Sequence, residues 1–188
     1  KVIALAELCP KPVTVCFVGD KTRESQGNVT FVKTLKAAAQ SALGNAKFDK
    51  FPLHKTCLPE GRHRVCGLYT GGTLAAETQG IFIHGGARVA LNSAIPDAEL
   101  ISNQESAHVF IDLGDDEYTR GRPHPMIEPA VREEPLLEVI HEPSIGVLLL
   151  DVVIGNGVHP NPAGQLVEML SDHATDNMPT IITAVTGT

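Results

Sequence analysis

The segment Gly67-Leu68-Tyr69-Thr70-Gly71-Gly72-Thr73-Leu74-Ala75-Ala76-Glu77 runs from an apolar stretch through two adjacent glycines into a helix-forming sequence. Arg64 to Tyr69 reads as a strand, and a helix follows from about Gly72 to Gly80. Two glycines at such a turn let the backbone approach another group closely. The helix start that follows offers free N–H groups and a favourable dipole to an anion. A strand, a tight turn and a helix form the repeating unit of a parallel sheet, so the rest of the chain is read for further copies.

Several follow. Val13-Thr14-Val15-Cys16-Phe17-Val18 is a continuous apolar run ending at Gly19-Asp20, as in a buried parallel strand. Phe31, Val32, Leu35, Ala38, Ala39 and Leu43 recur at helical spacing, with Thr30 as the expected N-cap and Gly44 as the stop. His108 to Gly114, Gly146 to Ile154 ("GVLLLDVVI") and Pro179 to Val185 are strand segments. Glu128 to Ile140 and Pro162 to Leu170 are helical, the second with Asn161 as cap and Pro162 at its first position. Pro129 suits a first helical turn, whereas Pro135 either kinks that helix or restarts it. Residues 81–106, with Gly85, Gly86 and Pro96, are expected to be irregular. The alternation predicts an α/β fold with open, mostly parallel sheets and flanking helices.

Lys11 to Gly19 and Met178 to Gly187 echo one another: a proline, a strand-forming run, then glycine. Two related α/β units follow from that. Residues 1–50 would hold the last strand and helix of one unit and 51–63, rich in Pro, Gly and charge, a linker. Residues 64–188 would form a second unit, incomplete at its C-terminus because the sequence stops just after a strand.

Hydrophobic residues make up 43% of the 188, an ordinary globular level, while Trp is absent and aromatics are only 4%. The core must therefore come from Val, Leu, Ile and Ala. A net charge of −7 disfavours nucleic acid or an anionic membrane as partner. The longest apolar runs fall far short of the ~20 residues of a membrane span, and no signal peptide is visible. Cys9, Cys16, Cys57 and Cys66 show no C-x-x-C spacing, so they are expected to be reduced and structural in a cytoplasmic protein.

Ligands of α/β sheets bind beyond the carboxyl ends of the strands. Four segments fall there: 70–73, 112–116, 155–160 and 186–188. Gly71, Gly72 and Thr73 form the candidate anion or phosphate site; the structural alternative is a tight turn capped by threonine. In "DLGDDEYTRGRPHP", Asp112, Gly114, Asp115 and Asp116 stand close to Arg122 and His124. Clustered carboxylates suit a hard cation such as Mg, and Arg122 suits bidentate capture of a carboxylate or phosphate. The alternative is a set of Asx turns and ion pairs holding a long loop. No residue is assigned as a metal ligand and no catalytic base is identified. Asp151, inside a buried strand, must be hydrogen-bonded, paired or protonated.

Taken together, "GLYTGGTLAAE", "IDLGDDEYTRGRPHPMIEP", "GVLLLDVVIGNGVHPNPA" and "TAVTGT" resemble the FdrA family, acyl-CoA synthetase-like proteins related to the succinyl-CoA ligase α subunit. The resemblance covers about residues 1–20 and 64–188, and it implies a flavodoxin-like, succinyl-CoA-synthetase-like domain. In the ligase α subunit, Ser-Gly-Thr-Leu occupies the place of Gly71 to Leu74, and that helix start faces the phosphate of a phosphohistidine. The histidine itself has no counterpart: "GDKTRESQGNVTFVKTL" contains none, and the sequence stops before the second equivalent position. The resemblance implies CoA or a nucleotide as cofactor, Mg as companion ion, a small phosphate-bearing or acyl ligand, and partner subunits of a multisubunit enzyme. It also implies acyl or carbamoyl transfer, as in an oxamate carbamoyltransferase of allantoin catabolism. The other reading is a non-catalytic nucleotide- or CoA-binding or assembly subunit that kept the ligase fold.

Overall fold

A computed structural model describes residues 1–19, 23–44, 58, 60–91 and 107–187. Five of its strands form one all-parallel sheet in the order β4-β5-β3-β6-β7. They are β3 (Arg64–Tyr69), β4 (Val89–Leu91), β5 (His108–Asp112), β6 (Ile145–Ile154) and β7 (Thr180–Gly187). The helices α3 (Gly72–His84), α5 (Glu133–His141) and α6 (Pro162–Asp172) connect them. The expected α/β class, with a parallel sheet and flanking helices, is what the chain adopts.

The alternation of side chains along β3 and β6 builds two cores. Cys66, Leu68, Leu148, Leu150 and Val152 point to one face, where Leu136 and Ile140 of α5 and Leu166 and Met169 of α6 close over them. Val65, Tyr69 and Leu149 point to the other, against Leu74, Ala75, Phe82 and Ile83 of α3 and Phe110 of β5. Phe82 and Phe110 meet edge to face, with ring centroids 4.8 Å apart. Gly67 is required here, because a Cβ on it would stand 2.8 Å from the Phe110 ring. Cys66 is sealed in the first of these cores, and burial pushes its thiol up to about 12, far from a reactive thiolate. Cys9 and Cys16 are also free thiols, and Cys57 lies outside the described residues.

Strand order decides where a ligand can enter. The chain leaves β3 through α3 toward β4 at one edge, and leaves β6 through α6 toward β7 at the other. Because β3 and β6 are neighbours, their connections diverge and a crevice opens at their carboxyl ends.

At the amino ends, Arg62 is buried and donates to the carbonyls of Glu142, Ile145 and Asn177. This side chain, placed in the linker by the sequence, is thus pinned to the floor of the sheet.

The helix expected from Phe31 with Thr30 as cap begins later. Val29–Phe31 is instead a strand, β2, paired in parallel with β1 (Val13–Val15). Thr34 caps α2 (Leu35–Leu43), its hydroxyl accepting from Ala37 N at 3.1 Å. The β-branched Val29-Thr30 pair and Phe31 favour extension once a partner strand is present. Upstream, α1 (Val2–Glu7) buries no residue.

Two further segments differ from expectation. Residues 81–84 continue α3, and 89–91 form β4 where irregular structure was expected; residues 92–106 lie outside the described residues. Pro129 opens a 3-10 turn, Pro129–Arg132, and Pro135 sits within the first turn of α5, where its missing N–H costs nothing. Of the two options for Pro135, the restart is realised. For α6, the Asn161 side chain accepts from Gly164 N at 3.0 Å. Asn161→Ala is expected to lose about 1 kcal/mol, measurable by thermal denaturation; an unchanged melting temperature would argue against this cap.

Candidate functional site

The crevice between β3 and β6 is organised by Asp151, the one acidic residue in "GVLLLDVVI". It is 2% exposed. Its carboxylate accepts from Thr70 N at 2.9 and 3.1 Å and from Thr70 Oγ1 at 2.8 Å. Arg132, also buried, completes an ion pair at 3.5 Å. The same guanidinium donates to the carbonyls of Asp151 at 2.8 Å and Leu68 at 2.9 Å. One cation therefore ties the backbones of β3 and β6 together at the point where they diverge. Burial pulls the Arg132 pKa down and the Asp151 charge opposes that. Of the options the sequence left open for Asp151, pairing with hydrogen bonds is the one adopted.

This network fixes Thr70, and Thr70 fixes the turn into α3. Gly71 is the N-cap, in extended backbone, and no side chain caps the helix. The threonine-capped alternative is therefore not realised: Thr73 lies inside the first turn and is exposed. The glycines serve close packing. A Cβ on Gly71 would lie 3.1 Å from Met126 Cε, and one on Gly72 would lie 2.9 Å from Asp112 Oδ2.

Asp112 closes β5, in register with Tyr69. It is 7% exposed, and Oδ1 accepts from Gly114 N at 2.8 Å. Burial pushes its pKa up. Asp115 and Asp151 add to the rise, while the Gly114 N–H and His124 oppose it. Gly114 must lack a side chain: a Cβ would meet His124 Nε2 at 2.7 Å, the Thr70 carbonyl at 2.8 Å and Asp112 Oδ1 at 3.1 Å. Thr70, Asp112, Gly114 and His124 thus converge within a few ångströms.

His124 opens a turn: its carbonyl accepts from Ile127 and Glu128 N, and its Nδ1 accepts from Met126 N at 3.2 Å. The loop after β6 is stitched to it by His159 N donating to the Met126 carbonyl at 2.8 Å. Segments 70–73, 112–128 and 155–160 therefore meet at one edge, as the strand pattern predicts. The fourth does not form a loop: Thr186 and Gly187 lie within β7, paired with Val153 and Ile154. β6 is long enough to carry the pairing that far.

Other members of the acidic segment face elsewhere. Asp115 is the N-cap of α4 (Asp116–Thr119), accepting from Glu117 N at 3.1 Å, and Asp116 is its first residue. Arg122 lines a separate cavity of about 140 Å³ with Tyr118, Glu134 and Glu138. Among the described residues, no group of three or more His, Cys, Asp or Glu side chains comes together to hold a metal ion.

Arg132 escaped the sequence reading altogether. The signal available was Asp151 itself, since a carboxylate inside a buried strand demands a cationic or N–H partner somewhere in the chain.

Comparison with known proteins agrees with this architecture. The family model described as CoA-ligase matches residues 68–188. A protein of Escherichia coli (strain K12), "Uncharacterized protein YahF", is 34% identical over 188 residues, covering 92% of this chain and 36% of its own length. The chain thus spans about a third of the curated relative it matches. Among the described residues, no helix is long and apolar enough to cross a membrane.

Proposed function

Since the chain belongs to the CoA-ligase family, we propose that the start of α3 receives the phosphate or carboxylate group of an acyl-transfer ligand, with Gly71, Gly72 and Thr73 as its anion-binding residues. The observation that carries this reading is the first turn of a 13-residue helix left without a side-chain cap, at the carboxyl edge of the sheet and beside the strands whose connections diverge. Backbone N–H groups there stabilise negative charge without reorganisation, because the Thr70–Asp151–Arg132 network holds the preceding residue. CoA and nucleotides both present such phosphates, and either fits an uncapped helix start. Residues 64–188 form the ligand-binding unit, joined through 51–63 to the preceding one, in a protein with further subunits and a cytoplasmic place of work. Asp112, Gly114 and His124 shape the wall of the site. Asp115 and Asp116 hold the loop as the cap and first turn of α4, and Arg122 serves the neighbouring cavity.

The finer assignment is an FdrA-type acyl-CoA synthetase-like protein. Carbamoyl transfer at this site needs an anion cradle and no phosphohistidine, in keeping with "GDKTRESQGNVTFVKTL". The oxamate carbamoyltransferase role in allantoin breakdown rests on the resemblance of the four motifs alone.

Calorimetric titration of the full protein with CoA, ATP, phosphate and carbamoyl phosphate tests the reading. At least one is expected to bind, and Gly72→Val is expected to weaken it tenfold or more. The valine would stand between the helix start and Asp112. CoA or ATP binding favours synthetase chemistry, and carbamoyl phosphate binding favours carbamoyl transfer. Wild-type affinity retained in Gly72→Val would place the ligand elsewhere.

A further inference from the structure

One nitrogen of Arg132 is left over. Nη1 and Nη2 donate to the carbonyls of Asp151 and Leu68. Nε is buried, on a residue 4% exposed, and has no hydrogen-bond partner among the described residues. An unpaired buried donor is costly, above all on a charged group. We propose that the small cavity lined by this side chain is a binding site for one internal water molecule. The water accepts from Arg132 Nε and ties together segments that meet at the carboxyl edge of the sheet. The site is independent of the anion reading above.

Size and lining select the ligand. The cavity measures about 10 Å³, close to the space one water needs and too small for a phosphate. Thr70, Pro125, Met126, Arg132, Val152 and Leu166 are among its walls. A wholly apolar void would stay dry, but three residues of this lining carry unspent polar groups. Arg132 Nε–H is a donor. Thr70 Oγ1 gives its own proton to Asp151 at 2.8 Å, so its lone pairs are open to a further donor. Pro125 is buried, and its carbonyl accepts no hydrogen bond from the described residues. One donor and two acceptors suit a water that accepts once and donates twice, and about three bonds is usual for a buried water. Asp151 already balances the Arg132 charge at 3.5 Å, so the site calls for a neutral dipole.

The walls come from separate parts of the chain. Thr70 precedes α3, Pro125 belongs to the loop after α4, and Arg132 ends the 3-10 turn. Val152 lies on β6 and Leu166 on α6. A water bonded to Thr70, Pro125 and Arg132 joins the turn into α3, the 112–128 loop and the charged hub of the crevice. It gives that loop a second polar tie, besides the bond from His159 N to the Met126 carbonyl.

High-resolution crystallography of the full protein, with and without a bromide soak, tests the proposal. The expected result is a single density peak about 2.9 Å from Arg132 Nε, within hydrogen-bond reach of Thr70 Oγ1 and the Pro125 carbonyl. No anomalous bromide signal is expected there. An empty cavity overturns the proposal. Bromide at that position also overturns it, because the site would then take an anion. A water bonded to Arg132 alone overturns the tie between the segments. In solution, Arg132 Hε is expected to show magnetisation transfer to water with the sign of a long-lived bound molecule. Loss of that signal, with Hε itself observed, overturns the internal site even where the crystal shows a peak.

Discussion

Asp151→Ala is expected to destabilise the protein by about 3–5 kcal/mol, the usual cost of removing one partner of a buried ion pair. The reason is what remains behind. Arg132, 4% exposed, would keep its charge with no counter-ion, and Thr70 would lose its backbone and hydroxyl acceptors at once. Two backbone contacts of Arg132 survive, to the carbonyls of Asp151 and Leu68, so the strands stay linked. Pairing the change with Arg132→Met removes the orphaned charge. The double variant is therefore expected to be more stable than the sum of the two single losses by about 1–3 kcal/mol. Urea denaturation of the wild type, both single variants and the double variant measures this coupling. A loss below about 1 kcal/mol for Asp151→Ala would mean the carboxylate is not the hub described here.

The second large effect is at Gly114. Gly114→Ala adds a single methyl group, yet that methyl would meet the Thr70 carbonyl at 2.8 Å and His124 Nε2 at 2.7 Å. His124 can swing away, but the Thr70 carbonyl belongs to a backbone that Asp151 holds at both the N–H and the hydroxyl. Either the 112–116 loop or the Thr70–Gly71 turn must move. Overpacking of this kind costs about 1–3 kcal/mol. Anion affinity is expected to fall at least tenfold, because the displaced group is the backbone just before the α3 start. Thermal denaturation and phosphate titration on one preparation separate the two consequences. Wild-type affinity in a destabilised Gly114→Ala would show that the turn is not shared between the loop and the ligand site.

Much of this arrangement was legible in the sequence, for local reasons. "GVLLLDVVI" is apolar on both sides because β6 is covered by helices on both faces. The double glycine marked the turn because the backbone there meets Met126 and Asp112 side chains. The acidic segment was harder. Asp112, Asp115 and Asp116 are equivalent as letters, but Asp112 closes a strand and is buried, whereas Asp115 and Asp116 begin a short helix. Arg122 and Arg132 likewise differ only in where the backbone carries them. One lines an outlying cavity and the other enters the sheet. The shift from an expected helix at Phe31 to a strand has the same origin, since a three-residue strand exists only where β1 supplies its ladder partner.

Residue order by itself determined the α/β class, the strands that carry the sheet, the turn into α3 and the demand that Asp151 be satisfied. Each follows from side-chain periodicity, from glycine and proline geometry, or from the cost of burying a charge. Only the tertiary structure decided that β3 lies between β5 and β6, and from that came everything particular to the site. Adjacency of β3 and β6 sets Thr70 against Asp151, 81 residues away in sequence. Adjacency of β3 and β5 sets Gly72 against Asp112. Strand order reflects the packing of whole helices against both faces of the sheet, a property of the assembled core that no short window of sequence contains.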